Sequence, residues 1–160
     1  MATDAGAGLV RIDRHYIYIN GFIDPNDPQQ NHALTAGNDQ SLWVNASGRR
    51  FTNETGFDKD ILVDLLQQAG STYWMIFDEA ARDGFGMRGA AWLKSPSQSH
   101  PILDNPQAVK RAMSLRELAG MAGLPAEALI WSVTEFNAMI DAGEDTLFGR
   151  FLQGDNVPPK

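Results

Sequence analysis

The stretch that most constrains this chain is residues 42–54, Leu-Trp-Val-Asn-Ala-Ser-Gly-Arg-Arg-Phe-Thr-Asn-Glu. Leu42, Trp43 and Val44 form a short apolar, β-prone run, Asn45 to Gly48 has turn composition, and Arg49-Arg50-Phe51 resumes an extended pattern. Two such runs around an Asn/Ser/Gly reversal favour a β-hairpin, because those residues tolerate the backbone a tight turn needs. Glu54 closes the stretch, and a helix is expected at once. Thr55-Gly56-Phe57-Asp58 loosely fits a capping box, and Leu62, Leu65, Leu66 and Ala69 recur at helical spacing up to Gly70, which predicts a helix over residues 58–69.

Elsewhere the pattern is uneven. Residues 11–20 are β-rich with apolar side chains on both faces, whereas Pro25, Pro28, Gly37 and a surplus of Asn, Asp and Gln predict a long loop over 21–40. Thr72 to Phe77 is short, aromatic and β-branched, the composition of a buried strand, and Asp78 then reads as the N-cap of a short helix. Between Gly84 and Pro106, glycines and prolines leave only an extended Ala90-Ala91-Trp92-Leu93, and residues 107–112 fit a strand or a helical turn equally. Ser114-Leu115-Arg116-Glu117 is a second capping box, opening a helix through Met121 that Gly123 closes. Pro125 suits a first helical position. Leu129, Ile130, Val133, Phe136, Met139 and Ile140 make one apolar stripe after it, ending at Gly143.

With 160 residues the default is one core. Thirteen Lys and Arg against twenty Asp and Glu give a net charge of −7, a surface that repels phosphate backbones and anionic lipid, so neither nucleic acid nor membrane is an expected partner. The absence of cysteine removes disulfides, thiolate catalysis and sulfur-ligated metals together. No apolar run approaches the roughly 20 residues that span a bilayer, and Met1-Ala2-Thr3-Asp4 has no secretion-signal character. A soluble, cytoplasmic protein is the expectation. His15, His32 and His100 are scattered without the close pair a metal site usually shows.

The hairpin stretch resembles the V-N-x-x-G-x-R-F-x-N-E signature of the fumarate reductase and 3-ketosteroid dehydrogenase-like family of FAD-dependent oxidoreductases, through Val44, Asn45, Gly48, Arg50, Phe51, Asn53 and Glu54. Further blocks keep the family's order. Ala2, Gly6, Ala7 and Leu9 resemble its A-x-x-x-G-A-x-L segment, and Phe77-Asp78 resembles its F-D pair. Ser114, Glu117, Leu118, Ala119, Gly123 and Pro125, then Val133, Phe136 and Asn137, then Gly143, Asp145, Phe148, Gly149 and Arg150 follow its last third. Ser and Phe here replace a Thr and a Tyr. The E-x-x-R proton relay of the fumarate reductases would fall on Leu34 and Gly37, so it is missing.

The resemblance implies an α+β fold, a small mixed sheet with helices packed on it, of the flavoenzyme capping-domain type. Residues 1–10 would be a remnant of the junction with an FAD-binding domain, 11–152 the cap over the substrate, and 153–160 the exit segment. FAD would belong to the full-length parent and none is expected on these residues. The phosphate grip needs a strand, a G-x-G-x-x-G turn and a helix N-terminus. Gly6-Ala7-Gly8 lacks the strand, and the glycine spacing at Gly84, Gly86 and Gly89 lacks its flanking elements. The expected partners are that FAD-binding domain and a small-molecule substrate.

The implied reaction is a dehydrogenation or reduction at a CH-CH or C=C bond. In the family the cap's catalytic side chain falls four residues after the signature Glu, as Arg in fumarate reductases and Tyr in ketosteroid dehydrogenases. That position is Asp58. A carboxylate beside a dicarboxylate would oppose its binding, which favours the ketosteroid dehydrogenase-like reading. Asp58 would act as general base if a dry site raised its pKa, and as helix cap otherwise. Phe57 would line an apolar pocket, and His32, in the expected long loop, is a further substrate-binding candidate. An Arg50–Glu54 ion pair would fix the intervening segment. The alternative function is an independent ligand-binding or assembly module without catalysis.

Overall fold

The computed structural model describes residues 21–27, 29, 33–56, 58–88 and 100–151. The expected β-rich run at 11–20, the extended segment at 90–93, His15, His32 and Phe57 lie outside the described residues.

The architecture is α+β, and its strands divide into two small antiparallel sheets. In the first, β2 (Ala33–Gly37) lies between β1 (Gly21–Ile23) and β5 (Gly86–Arg88), with Leu34 opposite Phe22 and Ala36 opposite Met87. Two strands therefore occupy what the composition predicted as a loop. Pro25 falls in the connection, where it costs no ladder hydrogen bond, and the alternation that makes β2 is only two residues deep. Those residues, Leu34 and Ala36, are buried against Phe85, Met87, Ile102 and Leu103.

The second sheet pairs β3 (Leu42–Val44) with β4 (Trp74–Ile76), Leu42 facing Ile76 and Val44 facing Trp74. The run 42–44 is buried throughout because it separates two apolar clusters. Leu42 and Val44 pack on Leu124, Leu129, Phe136 and Met139, while Trp43 turns to Phe51, Ile61 and Leu65. β4 is shorter than predicted and only half-buried.

The turn after β3 forms around Asn45, whose Oδ1 accepts the N–H groups of Ser47 and Arg49 at 3.0 Å each, while Asn45 and Arg49 pair through their backbones. Gly48 sits at φ +70°, and a Cβ there would lie 3.1 Å from Leu129 N and 3.3 Å from Pro125 O, so its lack of a side chain lets the turn seat on a helix. The returning arm of the hairpin shrinks to one bridge, Val44 with Arg50, since β4 takes the ladder position beside β3.

Three α-helices complete the fold among the described residues. α1 (Asp58–Leu66) is shorter than predicted, the chain passing into a separate 3-10 turn at Ala69–Ser71 where Gly70 has φ 72°. α2 (Leu115–Ala122) starts as the sequence indicated: Ser114 caps it by accepting the Glu117 N–H. α3 (Ala126–Ala142) carries the buried Leu129, Phe136 and Met139, with Pro125 one position ahead of its first turn. Asp78 opens no α-helix. Its Oδ1 accepts the Ala81 N–H at 3.0 Å, but the chain continues as a turn into a 3-10 segment at Arg82–Gly84 and then β5. Residues 107–112 are neither strand nor helix; Asn105 organises a turn there through the N–H groups of Gln107, Ala108 and Val109.

Candidate functional site: a buried charge network at the foot of α1

Arg50 leaves the hairpin turn pointing inward between β3 and α3, and Glu54 follows one turn of irregular chain later. Their side chains meet through two parallel bonds, Nε to Oε1 at 2.8 Å and Nη2 to Oε2 at 2.7 Å. This fork geometry makes an Arg–carboxylate pair both strong and orientation-specific. Two further charges join from the end of the chain. Asp145 Oδ2 lies 2.8 Å from Arg50 Nη2, and Arg150 Nη1 lies 3.2 Å from Glu54 Oε2.

All four side chains are at least nine-tenths buried: 7% exposed for Arg50, 2% for Glu54, 1% for Asp145 and 2% for Arg150. The set holds two positive and two negative groups, so it is formally neutral, which is what allows it to persist away from water. Remaining donors and acceptors are also engaged. Arg150 donates to the Ser41 carbonyl at 3.0 Å and to the Asp39 carbonyl. Glu54 Oε1 accepts the Trp43 N–H at 3.3 Å, and Asp145 accepts the N–H groups of Leu147, Phe148 and Arg150. Arg50 also donates to the Met139 sulfur at 3.3 Å and lies over the rings of Phe148 and Phe136, 4.9 and 5.5 Å from their centroids; Arg150 lies 5.1 Å from Phe136.

Burial alone would lower the Arg50 pKa, but the hydrogen bonds and charges of Glu54 and Asp145 outweigh it and raise the guanidinium above its ordinary value. For Arg150, burial and the neighbouring Arg50 charge win over the attraction of Glu54, lowering its pKa. Burial pushes Asp145 up, yet the bonds from Arg50 and from the Phe148 and Arg150 N–H groups hold its carboxyl below the usual range.

From Glu54 the chain runs to Asp58, the first residue of α1. Thr55 Oγ1 bonds Asn53 Oδ1 at 2.9 Å and approaches the Arg150 carbonyl at 3.5 Å, and Thr52 Oγ1 reaches Asp64 on α1 at 2.7 Å. Of the residues singled out from the sequence, Asn45, Gly48, Arg50, Phe51, Asn53 and Glu54 form one continuous unit here. The Asp58 backbone begins α1, while its side chain, Phe57 and His32 lie outside the described residues. Tyr73 stacks on Trp43 with centroids 4.4 Å apart, and burial raises its phenol above the ordinary tyrosine value.

The sequence did not pair Asp145 and Arg150 with the hairpin. The available signal was the motif block itself, in which Asp145 and Arg150 stand five positions apart with no opposite charge four residues from either.

Among the described residues no group of three His, Cys, Asp or Glu is placed to hold a metal, and no helix is long and apolar enough to cross a membrane. The glycines at 84 and 86 run from a 3-10 turn into β5. A dinucleotide grip places its glycines in the turn between a strand and a helix, whereas Gly86 lies within a strand, so Gly84 and Gly86 do not form such a turn.

Two small antiparallel sheets, a helix pair and a hairpin locked to the C-terminal loop make up a flavoenzyme capping-domain fold. The fold is similar to that in the crystal structure of 3-ketosteroid Δ1-dehydrogenase from Sterolibacterium denitrificans, with TM-score 0.59, 21% identity, and 87% of this chain and 27% of that one covered. The chain belongs to the fumarate reductase and 3-ketosteroid dehydrogenase-like family of FAD-dependent oxidoreductases and corresponds to its capping domain. It is 28% identical over 153 residues to NADH:acrylate oxidoreductase of Vibrio harveyi, covering 96% of this chain and 14% of that protein. It is 29% identical over 150 residues to a fumarate reductase (cytochrome) of Shewanella frigidimarina, covering 94% and 24%. It is 32% identical over 128 residues to 3-oxosteroid 1-dehydrogenase of Mycobacterium tuberculosis, covering 69% and 21%. The chain thus spans between 14% and 24% of the length of these relatives. No protein-family model matches it.

Proposed function

We propose that this chain is the substrate-capping part of an FAD-dependent oxidoreductase that dehydrogenates or reduces a CH-CH or C=C bond. Residues 11–152 are the cap, 1–10 and 153–160 its junctions with an FAD-binding domain, and FAD is held by that domain. The task of the cap is to close over the substrate, exclude water and complete the polar surroundings of the reacting bond.

The observation that supports this reading is the union of two family motif blocks, 96 positions apart at Glu54 and Arg150, in one buried network at the start of α1. A lid must present a fixed surface to its substrate, and this network fixes the segment that runs into that helix. Asp58 stands at the position four beyond Glu54, with Phe57 beside it. A carboxylate there disfavours a dicarboxylate substrate and suits a neutral one, with Asp58 taking a proton from carbon. The outer side of α1 also carries Val63 and Leu66, 56% and 63% exposed and three positions apart, apolar surface that a bulky hydrophobic substrate or a covering domain would bury. His32 is a second substrate-binding candidate from the β1–β2 connection.

The test is expression of the chain with its genomic flanks, followed by titration of the flavin absorption spectrum with a 3-oxosteroid and with a dicarboxylate. The oxosteroid should perturb the spectrum and the dicarboxylate should not. A flanked protein that binds no flavin, or one that answers only to the dicarboxylate, refutes the proposal.

A further inference from the structure

We propose that Asp145 and Arg150 are positioning residues for the first turn of α1, acting through Glu54. The inference rests on the reading of that turn as the part of the cap that meets substrate.

Glu54 is the point where the network touches the segment leading into the helix, and its acceptor sites are filled: two bonds from Arg50, one from Arg150 and one from the Trp43 N–H. A carboxylate gripped from three directions leaves little freedom to the backbone that carries it. Two of those grips depend on the C-terminal loop. Arg150 is itself anchored on the Ser41 and Asp39 carbonyls, so it ties the 38–41 turn to Glu54. Asp145 holds Arg50 at 2.8 Å and is fixed by three N–H groups of its own loop. Beyond Glu54, the Thr52–Asp64 bond and the burial of Ile61 and Leu65 against Trp43 and Phe51 fix the body of α1. The chain is thereby held at Glu54 and again within α1, on either side of Asp58 in sequence.

Stability by itself does not call for such a cluster. Well-packed apolar side chains of the same volume hold a core as well as a buried ion network or better. What charged groups in fork geometry add is direction, since Arg–carboxylate pairs tolerate little rotation. Two guanidinium groups, one of them held by Asp145, converge on the residue four positions before Asp58 and put that direction where a lid needs it.

Asp145→Asn removes one charge with almost no change of shape, and Arg150→Lys keeps the charge but cannot reach two carbonyls and Glu54 together. Amide hydrogen exchange on the 160-residue chain reads the outcome. Both variants should speed exchange of the α1 amides from Leu62 to Leu65, whose N–H groups bond the carbonyls of its first turn, about tenfold more than exchange in the middle of α3, in the range of coupling between residues of one ion network. Unchanged amides at Leu62 to Leu65, or an acceleration there no greater than in α3, overturn the positioning role, the second result meaning that the residues only support global stability. In the flavin-loaded protein with its flanks, the same variants should lower kcat with little effect on KM. An exchange response without any change in turnover overturns instead the placement of α1 against substrate.

Discussion

Arg150→Met is the sharpest test of the charge network as an energetic unit. Methionine keeps the unbranched stem but deletes the guanidinium that lies over Phe136, and three partners lose a donor: Glu54 Oε2, the Ser41 carbonyl and the Asp39 carbonyl. The four-charge set, neutral in the native chain, becomes one negative charge in excess inside a site exposed by 2% or less at Glu54 and Asp145. Removing one partner of a buried ion pair costs about 3–5 kcal/mol, much of it the penalty on the charge left behind. Because Arg50 still holds Glu54, the lower part of that range applies, about 3 kcal/mol. A domain of this size shifts by about 2–4 °C per kcal/mol, so the midpoint should fall by about 6–12 °C. The assay is thermal unfolding by circular dichroism at pH 7 and 0.15 M salt, with Arg116→Met as control. Arg116 pairs with Glu127 at 2.6 Å, but both are exposed, 65% and 78%, and such pairs contribute about 0–1 kcal/mol. Equal midpoints for the two variants would refute the reasoning, since the argument turns on burial and not on the existence of an ion pair.

Other expectations follow from the same structure. Gly48→Ala should cost about 2 kcal/mol, left-handed strain plus contact with the α3 backbone at 3.1 Å, whereas Gly123→Ala, with the same sign of φ and open space around it, should cost about 1 kcal/mol; urea melts of the two separate the terms. Asp145 has its pKa lowered on folding, so its stabilisation is complete above the unfolded value of about 4 and is lost as pH falls through the folded one. The gap in urea midpoint between the native chain and Asp145→Asn should therefore be constant from pH 7 to 5 and narrow below pH 4. Ser114→Ala should destabilise by about 1 kcal/mol through loss of the α2 cap, and Ser114→Asp should restore most of it in the same melts.

Local chemistry was legible in the chain where a residue acts on its near neighbours. The Asn45 turn, the Ser114 cap, the left-handed Gly123 and Gly143 and the apolar stripe of α3 involve partners within a few positions, and each stands where its sequence signal put it. The order of the motif blocks likewise carried the family, and with it the α+β fold. Signals that are weak locally misled: β1 and β2 were hidden by the prolines between them, and the Asp78 side chain bonds a backbone N–H in a turn that never becomes an α-helix.

Only the tertiary structure decided which strand lies beside β3 and where four buried charges meet. A strand specifies its own alternation but not its neighbour, and β4 outcompetes the returning hairpin arm because Leu42–Val44 can then be covered on both faces. The charges are further from anything a pattern encodes. An ionised side chain looks the same in a sequence whether it is solvated or buried, and Arg50, Glu54, Asp145 and Arg150 become one site because folding removes their water together and sets each beside an opposite charge.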